Sequence, residues 1–119
     1  MNKRAVGSFY EDVAVDYLKN NGVKILQRNF QCKFGELDII GKDGNCIVIV
    51  EVKYRASDSF GEALYAVGAK KQRRICKCAI VYCMLHPEVK ELRYDVLAIS
   101  NTKVDWIQNA FMHIGYSIY

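Results

Sequence analysis

The chain has 119 residues, 51% of them hydrophobic and 25% charged, with a net charge of +4. That is enough for one domain, residues 1–119, with a core of its own, and it excludes a low-complexity or intrinsically disordered chain. No apolar run approaches the ~20 residues of a membrane-spanning helix, and no Pro/Ser-rich linker divides the sequence.

The start, Met1-Asn2-Lys3-Arg4, is basic, but Glu11, Asp12 and Asp16 interrupt the stretch after it, so no signal peptide is expected. From Lys3 to Asn20 the sequence predicts a helix. Val6, Tyr10, Val13 and Tyr17 form one apolar stripe, and Asn20-Asn21-Gly22 ends it. Strands are expected over Val23–Cys32, Glu36–Gly41 and Cys46–Tyr54, the last rich in Val and Ile. Lys42-Asp43-Gly44-Asn45 joins the second to the third as a hairpin turn with Asp-Gly at its tip.

Arg55 to Gly61 reads as a polar loop, with a short helical piece at Glu62–Ala66. Gly68 to His86 reads as a second long helix with the apolar stripe Ile75, Cys78, Ala79, Tyr82 and Leu85, stopped by Pro87. Glu91–Ile99 reads as a strand and Lys103–Ala110 as a weaker one. The tail from Met112 to Tyr119 receives no assignment. The expected order, helix, three strands, helix, then one or two strands, is an α/β fold with a mixed sheet flanked by helices.

Chemistry concentrates on the hairpin. Gly35-Glu36-Leu37-Asp38-Ile39-Ile40 is followed by Val48-Ile49-Val50-Glu51-Val52-Lys53. Strand side chains alternate faces, so Glu51 and Lys53 share one side and the hairpin brings Asp38 towards them. Two carboxylates and an ammonium on one face suit a metal-dependent phosphodiesterase. The acids hold a hard divalent cation, and the lysine faces a water or a phosphate oxygen.

Each residue has a plainer account. Asp38, between Leu37 and Ile39, needs a partner if buried, and Lys53 alone could supply it as a simple ion pair. Glu51 either breaks the patterning of a central strand at a functional site or guards an edge strand. Lys53, beside two acids, is expected to stay protonated, or is a surface lysine. Glu36 shares the Asp38 face and is expected to be solvent-exposed. Glu11 borders the helical stripe beside Gly7 and Ala14, and either reaches the acids or is an ordinary boundary glutamate.

The second helix is basic. Between Glu62 and Glu88 there is no acid, while Lys70, Lys71, Arg73, Arg74 and Lys77 crowd its start. Lys70, Arg73 and Lys77 fall on the face opposite Ile75 and Ala79, with Lys71, Gln72 and Arg74 nearer the buried side. Such a face either contacts a phosphate backbone or is merely solvated. Tyr54 and Arg55 adjoin Lys53 and could touch the same partner. The five cysteines, Cys32, Cys46, Cys76, Cys78 and Cys83, are odd in number and lack a Cys-x-x-Cys. They read as reduced structural thiols of a cytosolic protein rather than as zinc ligands with His86.

Glu11, Gly-Glu-Leu-Asp-Ile-Ile and Val-Glu-Val-Lys, in this order of elements, resemble the restriction-endonuclease-like superfamily, whose signature is an Asp followed by Asp/Glu-x-Lys. More closely, the chain resembles the YraN family of small bacterial, endonuclease-related proteins. The matching stretches are Gly7-x-x-x-Glu11 with Ala14 and Tyr17-Leu18, Arg28-Asn29, Gly35 to Ile40, Ile49 to Arg55, Lys71-Gln72-Arg73-Arg74-Ile75 and Arg93-Tyr94-Asp95-Val96.

The resemblance implies a restriction-endonuclease-like core and Mg²⁺ or Mn²⁺ bound by Asp38, Glu51 and the Val52 carbonyl. It also implies a catalytic Lys53 and an accessory acid, Glu11, as in archaeal Holliday-junction resolvases. The expected substrate is nucleic acid, DNA ahead of RNA, and superfamily members often act as dimers. Asp95 matches a recurrent position for which a structural hydrogen bond is the alternative. Two other functions fit the same sequence: a non-catalytic nucleic-acid-binding or assembly module, and an interaction protein that dimerises through its apolar tail.

Overall fold

The computed structural model describes residues 3–55 and 67–115. Its elements are α1 (Lys3–Asn20), β1 (Lys24–Cys32), β2 (Gly35–Asp43), β3 (Cys46–Tyr54), α2 (Ala69–Leu85), β4 (Glu91–Ile99) and β5 (Val104–Phe111). The strands form one sheet in the order β1-β2-β3-β4-β5. All neighbours are antiparallel except β3 and β4, which run parallel with α2 as the crossover. The α/β order and mixed sheet are consistent with a restriction-endonuclease-like core. The helical piece expected at Glu62–Ala66 and most of the loop before it lie outside the described residues.

Two apolar cores cover the two sheet faces. On one side Ala14, Val15 and Leu18 of α1 pack on Ile39, Val48, Val50, Leu97 and Ile99. On the other, Ile75, Cys76, Cys78, Ala79, Tyr82 and Cys83 of α2 pack on Phe30, Leu37, Ile40, Ile47, Ile49 and Tyr94. The predicted α2 stripe therefore holds from Ile75 to Tyr82, whereas that of α1 is displaced. In α1 the buried centre is Ala14 and Leu18, both 0% exposed, and Tyr10, Val13 and Tyr17 border it. The small side chain of Ala14 lets the helix settle close to the sheet. Leu85, expected in the α2 stripe, is 65% exposed because the helix ends there, beyond the sheet contact.

The β2–β3 hairpin is one step tighter than predicted. Asp43 pairs with Cys46, so the loop is Gly44-Asn45, with Gly44 at φ +62°. That left-handed position suits glycine, which has no Cβ to clash. β2 also extends beyond the predicted Gly41 to Asp43. The tail is partly tied down: the Tyr94 hydroxyl and His113 Nδ1 lie 2.6 Å apart, and the Ile114 amide donates to Cys76 Sγ. Met112 stays exposed.

The cysteines are free, and Cys76, Cys78 and Cys83 are buried. Burial, with Cys32 beside it, pushes the Cys78 thiol up to about 12. These are structural thiols. His86 does not join them but stacks on Tyr82.

A cleft where two strands part

β2 and β3 pair only from Ile39↔Val50 to Asp43↔Cys46. Beyond that point the start of β2 remains paired with β1, and the end of β3 with β4. The two strands splay, which would leave β3 backbone groups without a ladder partner. Asp38 fills the gap: its Oδ2 accepts from the Val52 amide at 3.0 Å.

Alternation also breaks here. Leu37 and Ile39, two residues apart, pack into opposite cores. Across the β1–β2 ladder, Asn29 takes a left-handed φ of +55° between the pairs Arg28↔Ile39 and Phe30↔Leu37. Asp38 therefore sits where the strand exchanges its faces and can reach across to β3.

Glu51 comes from the central strand, which excludes the edge-strand account, and is buried. Its carboxyl group adjoins that of Asp38, with which it lines both sides of the cleft. Burial first, then the Asp38 charge, pushes Glu51 up to about 7. Asp38 is also raised by burial, although the Val52 amide and Lys71 pull it down. The two acids thus share protons as a pair rather than ionising independently.

The cation paired with Glu51 is Lys71, from the first turn of α2. Burial lowers the Lys71 pKa, but its hydrogen bond and charge contact with Glu51 outweigh this, and the net shift is upward. The sequence placed Lys71 in the basic patch rather than beside the acids, and had Lys53 as the ion-pair candidate for Asp38. Lys53 lies two residues beyond Glu51 and feels its charge. Burial, then Arg55 and Lys71, move its pKa down, while the Glu51 charge pulls it up.

Two mouths open onto the pair. The one on the α2 side, about 390 Å³, is lined by Gly35, Glu36, Asp38, Glu51, Lys71, Arg74 and Ile75. The other, about 410 Å³, brings in Val6, Gly7, Tyr10, Glu11, Val52 and Tyr54 around the same Asp38, Glu51 and Lys71. Glu11 does reach the acids, and Glu36 is exposed at the rim as expected. Burial, followed by the Asp38 charge, raises the Glu11 pKa. Among the described residues Glu11 Oε1 is buried without a hydrogen bond and forms an ion pair with Arg28 at 3.6 Å.

Among the described residues no three His, Cys, Asp or Glu side chains form a ready-made cage. The donor set is instead two adjoining carboxylates with a third acid nearby. That suits Mg²⁺, which keeps several waters and takes one or two protein carboxylates.

The remaining predicted residues divide. Lys70, Arg73, Arg74 and Lys77 are exposed on α2, and Arg74 also lines the cleft. Lys77 stands over the Phe34 ring, 5.4 Å from its centroid. Arg55 is exposed next to the site. Gln72 turns away, its amide donating to the Val67 carbonyl at 2.7 Å. Tyr54 stacks on Tyr10, centroids 3.9 Å apart, a contact invisible in sequence because it joins α1 to β3.

Asp95 is structural: fully buried, it accepts from Arg93, Trp106 and the Asn109 amide. A larger depression, about 570 Å³, lies at the other end of β3, between Lys24, Lys42, Ile47, Tyr82 and Glu91. It lacks a convergent pair of buried acids, so the chemistry is assigned to the smaller cleft.

Three comparisons bear on this chain. The model of "Uncharacterised protein family UPF0102" matches residues 10–99. A UPF0102 protein of Thermodesulfovibrio yellowstonii is 45% identical over 111 residues, covering 93% of this chain and 99% of its own. One from Photobacterium profundum is 38% identical over 117 residues, covering 94% of each chain. A crystal structure of SSO0001 aligns with a TM-score of 0.42 at 12% identity, over 87% of this chain and 49% of the other, so this chain spans about half of that length.

Proposed function

The chain belongs to the UPF0102 family, and from that premise we propose that it is a Mg²⁺- or Mn²⁺-dependent nuclease that hydrolyses nucleic-acid phosphodiester bonds, with branched or structured DNA as the favoured substrate. The observation that carries this reading is the adjoining pair of half-buried Asp38 and buried Glu51 in an open cleft, with a third acid, Glu11, in the same space. A fold does not retain such a pair for stability, because buried acids that repel one another cost free energy.

Asp38, Glu51 and the Val52 carbonyl would hold the cation, with Glu11 as an accessory acid. When bound, the cation supplies Lewis acidity to the phosphodiester and makes water a better nucleophile. Lys53, on the Glu51 face, positions the attacking water or offsets the developing negative charge at its Nζ.

Lys70, Lys71, Arg73 and Arg74 occupy the start of α2, whose first turn contains no acid. Cations there oppose the helix dipole, so helix stability does not explain Lys70, Arg73 and Arg74. An incoming phosphate backbone would satisfy both the amides and the side chains.

A second reading is a nucleic-acid-binding module without catalysis, favoured by the Lys71–Glu51 ion pair, which neutralises the acid without a metal. Cleavage of single-stranded, duplex, flap and four-way-junction DNAs with Mg²⁺ or Mn²⁺ separates the two. Wild type should cut, and Glu51→Ala and Lys53→Ala, purified identically, should lose about 100-fold or more. Salt-sensitive binding without cleavage by folded wild type would sink the nuclease and leave the module.

A further inference from the structure

Glu51 already has a cation. The partner of this buried carboxylate is the Lys71 ammonium, and the two residues differ in setting: the Glu51 side chain is 7% exposed and that of Lys71 is 58%. Lys71 reaches inward on a flexible stem from a helix turn whose other cations face solvent, and it lines both mouths of the cleft.

An ammonium and a divalent cation make the same demand on Glu51, its carboxylate lone pairs, so each weakens the other's hold. The stem that lets Lys71 reach Glu51 also lets it swing outward, because more than half of the side chain is in solvent. Outside, Arg74 lines the same mouth, and together they offer a phosphate two adjacent donors.

We propose that Lys71 is a tethered competitor for the metal at Glu51, and that a nucleic-acid phosphate draws it away, so that metal and nucleic acid bind with positive coupling. The inference rests on the metal-dependent reading above and adds its regulation: the cleft holds a divalent cation weakly until a polyanion is present. Coupling of this kind is reciprocal. Whatever factor nucleic acid adds to metal affinity, metal adds to nucleic-acid affinity.

Two measurements test it, both at about pH 8.5 so that the acids are ionised in every variant. The first is Mn²⁺ titration of the protein alone, followed by calorimetry and electron paramagnetic resonance. Lys71→Met keeps the stem and removes the charge, and it should bind Mn²⁺ about fivefold more tightly or better. Lys71→Arg, which keeps the charge, should resemble wild type. The second is fluorescence anisotropy of a cleavage-resistant phosphorothioate DNA, with and without Mn²⁺ at constant ionic strength. Mn²⁺ should tighten binding by wild type and Lys71→Arg more than by Lys71→Met.

Lys71 is exposed, so the variants should fold, and circular dichroism checks this. If Lys71→Met binds Mn²⁺ no better than folded wild type, Lys71 is a structural ion-pair partner and the competition is overturned, while the metal site stands. If neither protein binds Mn²⁺, with or without DNA, the metal-dependent reading falls as well.

Discussion

Glu51 holds a proton that most glutamates have lost well below neutral pH. Its ordinary value is 4.5, and burial with Asp38 alongside moves it to about 7. The folded state therefore binds this proton more tightly than the unfolded state does. The associated stability is complete below about 4.5 and is lost as pH rises through about 7. Asp38 shifts in the same direction and adds to the trend, while Lys71 moderates it. Glu51→Gln keeps a hydrogen-bond donor and cannot ionise. Its Tm should decline less steeply across that window than the wild-type Tm does, Asp38 supplying what slope remains. Above pH 7 the variant should be the more stable by about 1–3 kcal/mol. Parallel Tm–pH curves would show that Glu51 titrates like an exposed acid. Stabilisation by loss of a charge marks a residue kept for something other than stability.

At the scale of elements, the same chemistry appears twice with opposite outcomes. Asp38 bridges a gap between strands with one backbone contact and an acidic neighbour. Asp95 bridges another with every oxygen satisfied. The β4–β5 register slips between Tyr94↔Phe111 and Val96↔Ile107, leaving extra β5 residues opposite Asp95, with Asn109 at φ +55°. Asp95 fills that bulge by accepting the Asn109 amide and the Trp106 indole N–H, and Arg93 links it to Asp43 of β2. Asp95→Ala should lower unfolding free energy by about 3–5 kcal/mol, measured by urea denaturation, and should alter Trp106 fluorescence. An effect below 1 kcal/mol would mean that the bulge is held by packing alone.

Element boundaries were legible from sequence because the apolar periods of α1, β3 and β4 are strong and Gly22 and Pro87 punctuate them. The acids were legible because Glu51 violates the pattern of a hydrophobic strand. The Asp38 face exchange was not, since it depends on Asn29 in a different strand. Nor was the Glu51–Lys71 pair, because it joins a helix to a strand 20 residues away and leaves no mark in either segment.

Over the whole molecule, charge is sorted. Glu11, Glu36, Asp38 and Glu51 line the cleft between β2 and β3, and Lys70, Lys71, Arg73 and Arg74 gather at the adjoining start of α2, while the other charges are spread over the surface. No helix among the described residues is long and apolar enough to cross a membrane. If the basic face meets a phosphate backbone, replacing Lys70, Arg73 and Lys77 together with Ala should weaken DNA binding without sequence preference. The slope of log K against log salt should become shallower by roughly one per lost contact. An unchanged slope would return that face to ordinary solvated surface. The three residues are exposed, so the fold should tolerate the change.

The parallel β3–β4 ladder has a consequence for when this chemistry can exist. The β1–β2–β3 meander closes by short-range steps, and its ladders bring Asp38 and Glu51 towards each other without β4. Lys71 belongs to the crossover, which is closed at both ends when β4 docks beside β3 across the whole stretch from Arg55 to Lys90. Long-range closures of this kind are the slow steps of folding. A nascent chain would thus bring its two acids towards each other before the crossover that carries Lys71 is closed, and the restrained site is a property of the finished topology.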